Sequence, residues 1–278
     1  MPWIPAFAGM TDSTRVKIRA QYGRIENPPP YRKRREEMPA SWVDINVSDG
    51  STMEGYLTQP EGDGSHPAVV VIQEIWGVNS HIQSVADRLP ELGYVGLAPA
   101  MFHRSGRMIT GLHTEFPLAI ERMQQCTDAG IVADATAAVN YLKSQSFVNG
   151  KIGIVGFCFG GRVAYLAACT ISDLSASVVF YGGNIGVALG DGQTPLEQTG
   201  NINCPVLGLF GEEDANPTPD FVNEIDAEMT RLEKAHEFHQ YAGAGHGFHC
   251  EGRPAGYRPE AAQDAWGKAM AWFEANLK

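Results

Sequence analysis

The stretch Lys151–Cys169 constrains this chain more than any other, because a strand, a strained turn and a helix must follow one another there without a spacer. Ile152–Val155 is a short apolar run, rich in β-branched residues, of the kind buried in a parallel sheet. From Gly160 onward, small and apolar residues suit a helix lying close on that sheet. Between them, Gly156-Phe157-Cys158-Phe159-Gly160 has the G-x-[nucleophile]-x-G form of a nucleophile elbow. Such a turn closes only if the residues two positions before and after the nucleophile carry almost no side chain. The nucleophile then stands above the strand ends at the positive end of the following helix, which favours a thiolate and a nearby anion. A buried structural cysteine beside a Gly-rich turn is the plainer alternative. Against it stand the strand, the helix and a third glycine, Gly161.

The chain of 278 residues is long enough for one large α/β domain or two small ones. Its 21 Lys and Arg against 32 Asp and Glu give a net charge of −11, which argues against nucleic acid as a partner. The five cysteines are odd in number and form no C-x-x-C pair, so free thiols and a cytoplasmic setting are expected. No apolar run reaches the roughly 18 residues of a membrane helix, and the start lacks the basic and apolar regions of a secretory signal. No membrane association is therefore expected. Residues 1–38, with repeated prolines and the run Arg32-Lys33-Arg34-Arg35-Glu36-Glu37, predict an irregular extension ahead of a domain over 39–278. The opening also resembles a translated bacterial repeat element, with Met38 a candidate start.

Trp42–Val47 alternates apolar and polar, Asp49-Gly50 turns, and Met53–Gln59 returns, which predicts an antiparallel hairpin. Ala68–Ile72 reads as a buried central strand. Further strands are predicted at Tyr94–Ala98, Ser177–Tyr181, Pro205–Phe210 and Glu237–Tyr241. Helices are predicted at Ser80–Leu92, Phe116–Cys126, Ala129–Lys143, Pro219–Lys234 and Pro259–Leu277. Strands alternating with amphipathic helices predict an α/β fold, a doubly wound and mostly parallel sheet with the hairpin at its N-terminal side.

In such sheets ligands bind beyond the carboxyl ends of strands, so residues just after a strand are the site candidates. Asp214 follows the strand Pro205–Phe210, and His246 follows Glu237–Tyr241 within a Gly-rich loop. The order Cys158, Asp214, His246 is the nucleophile–acid–base order of the α/β-hydrolase fold. Chemically, a thiolate attacks, a histidine shuttles the proton, and a carboxylate fixes the ring's tautomer. Glu212 and Glu213 rival Asp214 as that acid, and Asp214 also suits a turn or helix cap. His236, His239 and His249 fail the positional filter or have no partner. His246-x-x-His249-Cys250 lacks a carboxylate or second pair to complete a metal site, so no metal is expected. Glu74, in Gln73-Glu74-Ile75-Trp76-Gly77-Val78-Asn79 after the central strand, is a charged residue in an unfavourable place. The backbone N–H groups of Ile75 and Phe159 are the natural oxyanion donors.

The segments Gln73–Asn79, Gly156–Gly161, Gly211–Asp214 and Gly245–Phe248 resemble those of the dienelactone hydrolase family, and the likeness runs from about Ser41 to Leu277. The resemblance implies a cysteine hydrolase acting on a small lactone or carboxylic ester, of carboxymethylenebutenolidase type, without a cofactor; a monomer or homodimer is expected. It makes Cys158 the nucleophile, His246 the base, Asp214 its partner, and Glu74 the group that holds the resting thiol and takes its proton. Family members that act on dienelactone clamp its carboxylate with two arginines. Arg104 stands where the first is expected, Cys250 replaces the second, and Arg253 lies close by but out of register. Arg104, Trp76 and Arg253 are the candidate substrate contacts, with a surface salt bridge the alternative for Arg104. Two other functions compete with hydrolysis: a thiol-based redox-reactive protein, and a catalytically silent binding domain on the same fold.

Overall fold

The apolar run that reads as a central strand forms β3, His66–Ile72, near the middle of an eight-stranded sheet. The computed structural model describes residues 40–278, so the expected N-terminal extension lies outside the described residues. The other strands are β1 (Ser41–Asn46), β2 (Thr52–Thr58), β4 (Val95–Pro99), β5 (Val148–Phe157), β6 (Ala176–Phe180), β7 (Val206–Gly211) and β8 (His236–Tyr241). They lie in the order β1-β2-β4-β3-β5-β6-β7-β8. The hairpin β1–β2 is antiparallel and meets β4 antiparallel, while every pairing from β4 to β8 is parallel.

Side-chain alternation along the strands divides the core between the two faces of the sheet. Val70, Ile72, Ile152 and Ile154 point to the face covered by α3 (Asp128–Lys143), α4 (Phe159–Thr170) and α5 (Pro219–Arg231). Val69, Val71, Val155 and Phe157 point to the face covered by α1 (Ser80–Asp87) and α6 (Pro259–Leu277). A further helix, α2 (Phe116–Gln124), packs on the first face through Ala119. Side-chain oxygens cap three of these helices: Asn79 for α1, Thr127 for α3 and Thr218 for α5. None of the helices among the described residues is long and apolar enough to cross a membrane.

The helix predicted over Ser80–Leu92 is instead divided. The α-helix ends at Asp87, and a 3₁₀ turn takes over at Pro90–Leu92. Pro90 has no N–H to give to the turn before it, and its ring crowds the preceding carbonyls, so the α-helix cannot run through. The elbow strand is longer than its apolar core suggests, since β5 pairs with both β3 and β6 up to Gly156 and Phe157.

From β3 the chain first adds β4 on one side and then crosses to place β5 on the other. The carboxyl ends of β3 and β5 therefore flank the point where the winding reverses, the place where such sheets open a crevice. Close packing holds this point. A β-carbon at Gly160 would sit 2.4 Å from the Ile72 carbonyl oxygen. Gly160→Ala should therefore lower stability by about 1–3 kcal/mol or more, seen as a fall of several degrees in the thermal midpoint. An unchanged midpoint would mean that α4 can slide off β3 at little cost.

Candidate active site

Cys158 directly follows β5 and caps α4 with φ 58° and ψ −114°, a conformation that an L-residue adopts only under strain. Its neighbours leave it no alternative. A β-carbon on Gly156 would lie 1.8 Å from the Gly160 oxygen, and one on Gly161 would lie 2.5 Å from the Phe180 oxygen. The Cys158 N–H donates to the Phe180 carbonyl at 3.1 Å, and its own carbonyl accepts from Arg162 N–H at 3.2 Å. The N–H groups of Phe159 and Ile75 find no acceptor among the described residues. Both residues line the same cavity as Cys158.

Asp214 and His246 arrive on the loops after β7 and β8, and those loops go on pairing beyond the strands. Glu212 N–H donates to the Tyr241 carbonyl at 3.0 Å, and Glu213 N–H to that of Ala244 at 2.8 Å. Gly211 lets the two backbones close, because a β-carbon there would be 2.2 Å from the Ala244 oxygen. The result is a contact of 2.9 Å between His246 Nδ1 and Asp214 Oδ2. The second Asp214 oxygen accepts from Asn216 N–H at 2.8 Å, so the carboxylate is held at both ends. Glu212 and Glu213, the rival acids, stay exposed. Burial of the His246 ring works against its charged form. The Cys158 sulfur and the Asp214 carboxylate outweigh it and push the pKa up to about 11.

Cys158, His246 and Asp214 share a cavity of about 400 Å³ with Glu74, Trp76 and Arg253. Glu74 is 1% exposed; the Cys250 thiol and the Tyr181 hydroxyl face it, but neither carboxylate oxygen has a donor in hydrogen-bond geometry. Burial raises its pKa above the usual carboxylate range, against the opposing pull of His246 and Arg253. The Arg253 guanidinium is half-buried and has no hydrogen-bond or ion-pair partner among the described residues. Trp76 is buried, stacked edge-on against His113 at 5.1 Å, with its carbonyl accepting from Gly111 N–H.

Arg104 is not among them, which corrects the expectation that it contacts substrate at this site. Its guanidinium spans Asp134 (2.7 and 2.8 Å) and Asp49 (3.0 and 2.8 Å), and it borders a separate, smaller cavity. Asp134 is buried and also meets His103, so this arginine neutralises a buried carboxylate and has no charge left over for a ligand. His236 and His239 lie on β8, against Asp226 and Glu237, and His249 is buried among aromatic rings.

Several residues at the cavity went unnoticed in the sequence. Phe116, Ile120 and Met123 form its wall from α2, and their i, i+4, i+7 spacing is that of any amphipathic helix. Tyr181, whose buried hydroxyl has no partner and whose φ is 36°, directly follows β6. The strand-end filter could have named it. Next to the cavity, His113, not singled out in the sequence, and Cys250, read there as a replaced arginine, gather beside Glu74, with their ligand-type atoms within 4.8 Å of one another.

A doubly wound sheet that presents cysteine, aspartate and histidine in this order beyond its strand ends has the α/β-hydrolase architecture. The chain belongs to the dienelactone hydrolase family, whose sequence model matches residues 53–277, and it is a hydrolase acting on ester or lactone bonds. It is 36% identical over 228 residues to a Synechocystis sp. protein named "Putative carboxymethylenebutenolidase", covering 81% of this chain and 92% of that one. A Bradyrhizobium sp. protein named "Probable 2-oxo-3-(5-oxofuran-2-ylidene)propanoate lactonase" is 33% identical over 245 residues, covering 87% and 96%. The crystal structure of a "Putative Dienelactone Hydrolase" from Klebsiella pneumoniae superposes with a TM-score of 0.78 at 31% identity, covering 85% and 98%.

The His246–Asp214 contact yields a test of the electrostatics. Asp214→Asn should lower the His246 pKa from about 11, followed by NMR titration of the ring. Because the folded pKa is raised, the stabilisation from His246 is complete below the unfolded value of about 6.5 and is lost as pH climbs through the folded value. The stability lost in the variant should be largest at and below neutral pH and should fade toward pH 11. An unmoved ring pKa would show that the carboxylate does not govern this histidine.

Proposed function

We propose that this chain hydrolyses lactones or carboxylic esters through a Cys158–His246–Asp214 triad, as the family resemblance implies. The observation that carries the reading is the 2.9 Å His246–Asp214 contact at the same cavity as a strained, solvent-facing cysteine. The Cys158 thiolate attacks the carbonyl carbon, and the developing oxyanion is met by the N–H groups of Phe159 and Ile75. The tetrahedral intermediate collapses as His246 gives its proton to the leaving oxygen, leaving a thioester on Cys158. In a lactone that oxygen stays tethered to the acyl group. Water, deprotonated by His246, then attacks the thioester, and the acid leaves as the thiol is regenerated. Asp214 keeps the ring in the required orientation throughout.

Glu74 is assigned the role of holding the resting thiol and accepting its proton. Support comes from its burial with no donor in hydrogen-bond geometry and its pKa raised by that burial, since a carboxylate in that state gains by taking a proton. The substrate is proposed to be a small lactone or ester carrying a carboxylate. One end of the cavity offers the unpaired Arg253, and the walls offer Trp76, Phe116 and Ile120. The propanoate in the Bradyrhizobium relative's name fits such a pairing of acid and lactone. With Cys250 where the family pattern has an arginine, Arg253 is the cation left to meet the acid.

Two experiments test the reading. Cys158→Ala should leave less than about a hundredth of wild-type turnover on aryl esters and lactones, while His236→Ala and His239→Ala stay near wild type. Retained activity in Cys158→Ala would end the assignment. For the substrate, Arg253→Ala should raise KM for a carboxylate-bearing lactone by about tenfold, the worth of one charge-assisted contact. A neutral ester of similar size should be little affected. Equal effects on both substrates would make Arg253 a structural residue and the pocket one for neutral esters.

A further inference from the structure

Beside the elbow, Glu74 also belongs to a second group of side chains, whose other two members, His113 and Cys250, have no role in the hydrolytic cycle proposed above. Glu74, His113 and Cys250 come from three separate parts of the chain, and each offers one ligand-type atom within 4.8 Å of the others. The Cys250 sulfur stands 4.0 Å from His113 Nε2. Glu74 and Cys250 are buried, and His113 is half-buried, which leaves one side open for entry. Both Glu74 oxygens lack a hydrogen-bond donor, and the neighbouring Tyr181 hydroxyl is buried and unpartnered as well. A buried carboxylate normally finds a donor or a cation. This one faces the Cys250 thiol, the Tyr181 hydroxyl and the His113 imidazole, none of them in hydrogen-bond geometry with it.

We propose that Glu74, His113 and Cys250 form a binding site for a borderline-soft divalent ion of the Zn²⁺ type, distinct from the Cys158–His246–Asp214 group. The donor set of one sulfur, one nitrogen and one carboxylate oxygen is that of tetrahedral zinc with a fourth position left to solvent. Bonds of about 2.0–2.3 Å to such an ion place ligand atoms roughly 3.3–3.6 Å apart. The site must therefore contract slightly from its present spacing. His113 can supply that movement, because it sits in the irregular chain between Ser105 and Phe116 and is packed edge-on against Trp76. The Arg253 guanidinium faces all three groups and opposes a cation. Having no partner of its own among the described residues, it can turn toward the cavity it already lines. An ion bound here takes up Glu74 and should inhibit hydrolysis. That consequence rests on the role proposed for Glu74 above; binding itself does not.

The test titrates the full-length protein, stripped with a chelator, with Co²⁺ alone. A sulfur-to-cobalt charge-transfer band should grow to one equivalent, persist in Cys158→Ala, and disappear in Cys250→Ser and in His113→Ala. Arg253→Ala should tighten binding. His113→Ala, at a half-buried loop position, answers the question if Cys250→Ser does not fold. Losing a partner behind a metal ligand costs about 10–100-fold in affinity, and losing a ligand costs at least that. Zn²⁺ should accordingly inhibit wild-type turnover and inhibit His113→Ala at least tenfold more weakly, with metal-free activity unchanged. A band that survives Cys250→Ser and vanishes in Cys158→Ala would place the metal on the elbow thiol and overturn the proposal. So would the absence of any sulfur-to-cobalt band in the wild type. If Co²⁺ binds as described but Zn²⁺ leaves turnover untouched, the metal site stands and the role of Glu74 falls.

Discussion

Where β5 hands over to α4, three stretches of backbone lie closer than a β-carbon would permit. Gly156 faces the Gly160 carbonyl, Gly160 faces that of Ile72, and Gly161 faces that of Phe180. These approaches lock the end of β5 to β3 on one side and to β6 on the other, with α4 pressed on top. Cys158 is the residue caught in the middle, and its left-handed backbone is a consequence of that packing. Its side chain is half-buried, packed on the core and open to the cavity. The position of the sulfur is thus set by the absence of side chains around it.

The buried charges fall into two groups. Arg162 is paired in two contacts with Asp128 and also donates to the carbonyls of Asn184 and Val187, so its burial is fully compensated. Arg104 does the same for the buried Asp134. These pairs hold loops to helices and leave no valence for a ligand. Around the elbow the opposite holds. Glu74 and Tyr181 are buried without partners, and Arg253 is unpaired. Unsatisfied groups of this kind cost stability, and beside a cavity they are placed to meet a ligand. Arg162 and Arg253 both line the cavity, and the contrast separates the paired guanidiniums of Arg162 and Arg104 from the unpaired one of Arg253.

The reversal of winding between β3 and β5 explains why these groups meet. Glu74 follows β3 and Cys158 follows β5, so adjacent parallel strands deliver them to the same level. Two strands further along, β7 and β8 deliver Asp214 and His246 in the same way, and the extended pairing of their loops carries the ring back toward the elbow.

Much of this was legible in the sequence. The hairpin, the alternation of strands and helices and the elbow follow from local patterns of β-branched residues, amphipathic spacing and glycine, because those patterns act over a few residues. The positions of Cys158, Asp214 and His246 after strands were legible for the same reason, and so was the anomaly of Glu74. The strand order was not, since the side chains of β4 are the same whichever neighbour it pairs with. Arg104 looked like a ligand-binding residue because it stands where the family resemblance places the first arginine of a carboxylate clamp. Only the tertiary structure brings Asp49 and Asp134 to it from distant parts of the chain, and those two carboxylates decide its role. Cys250 read as a lost arginine in the sequence. Its neighbours Glu74 and His113 lie far away along the chain, and no spacing rule joins residues that only the packing of the loop before α2 against the end of β3 brings within 4.8 Å.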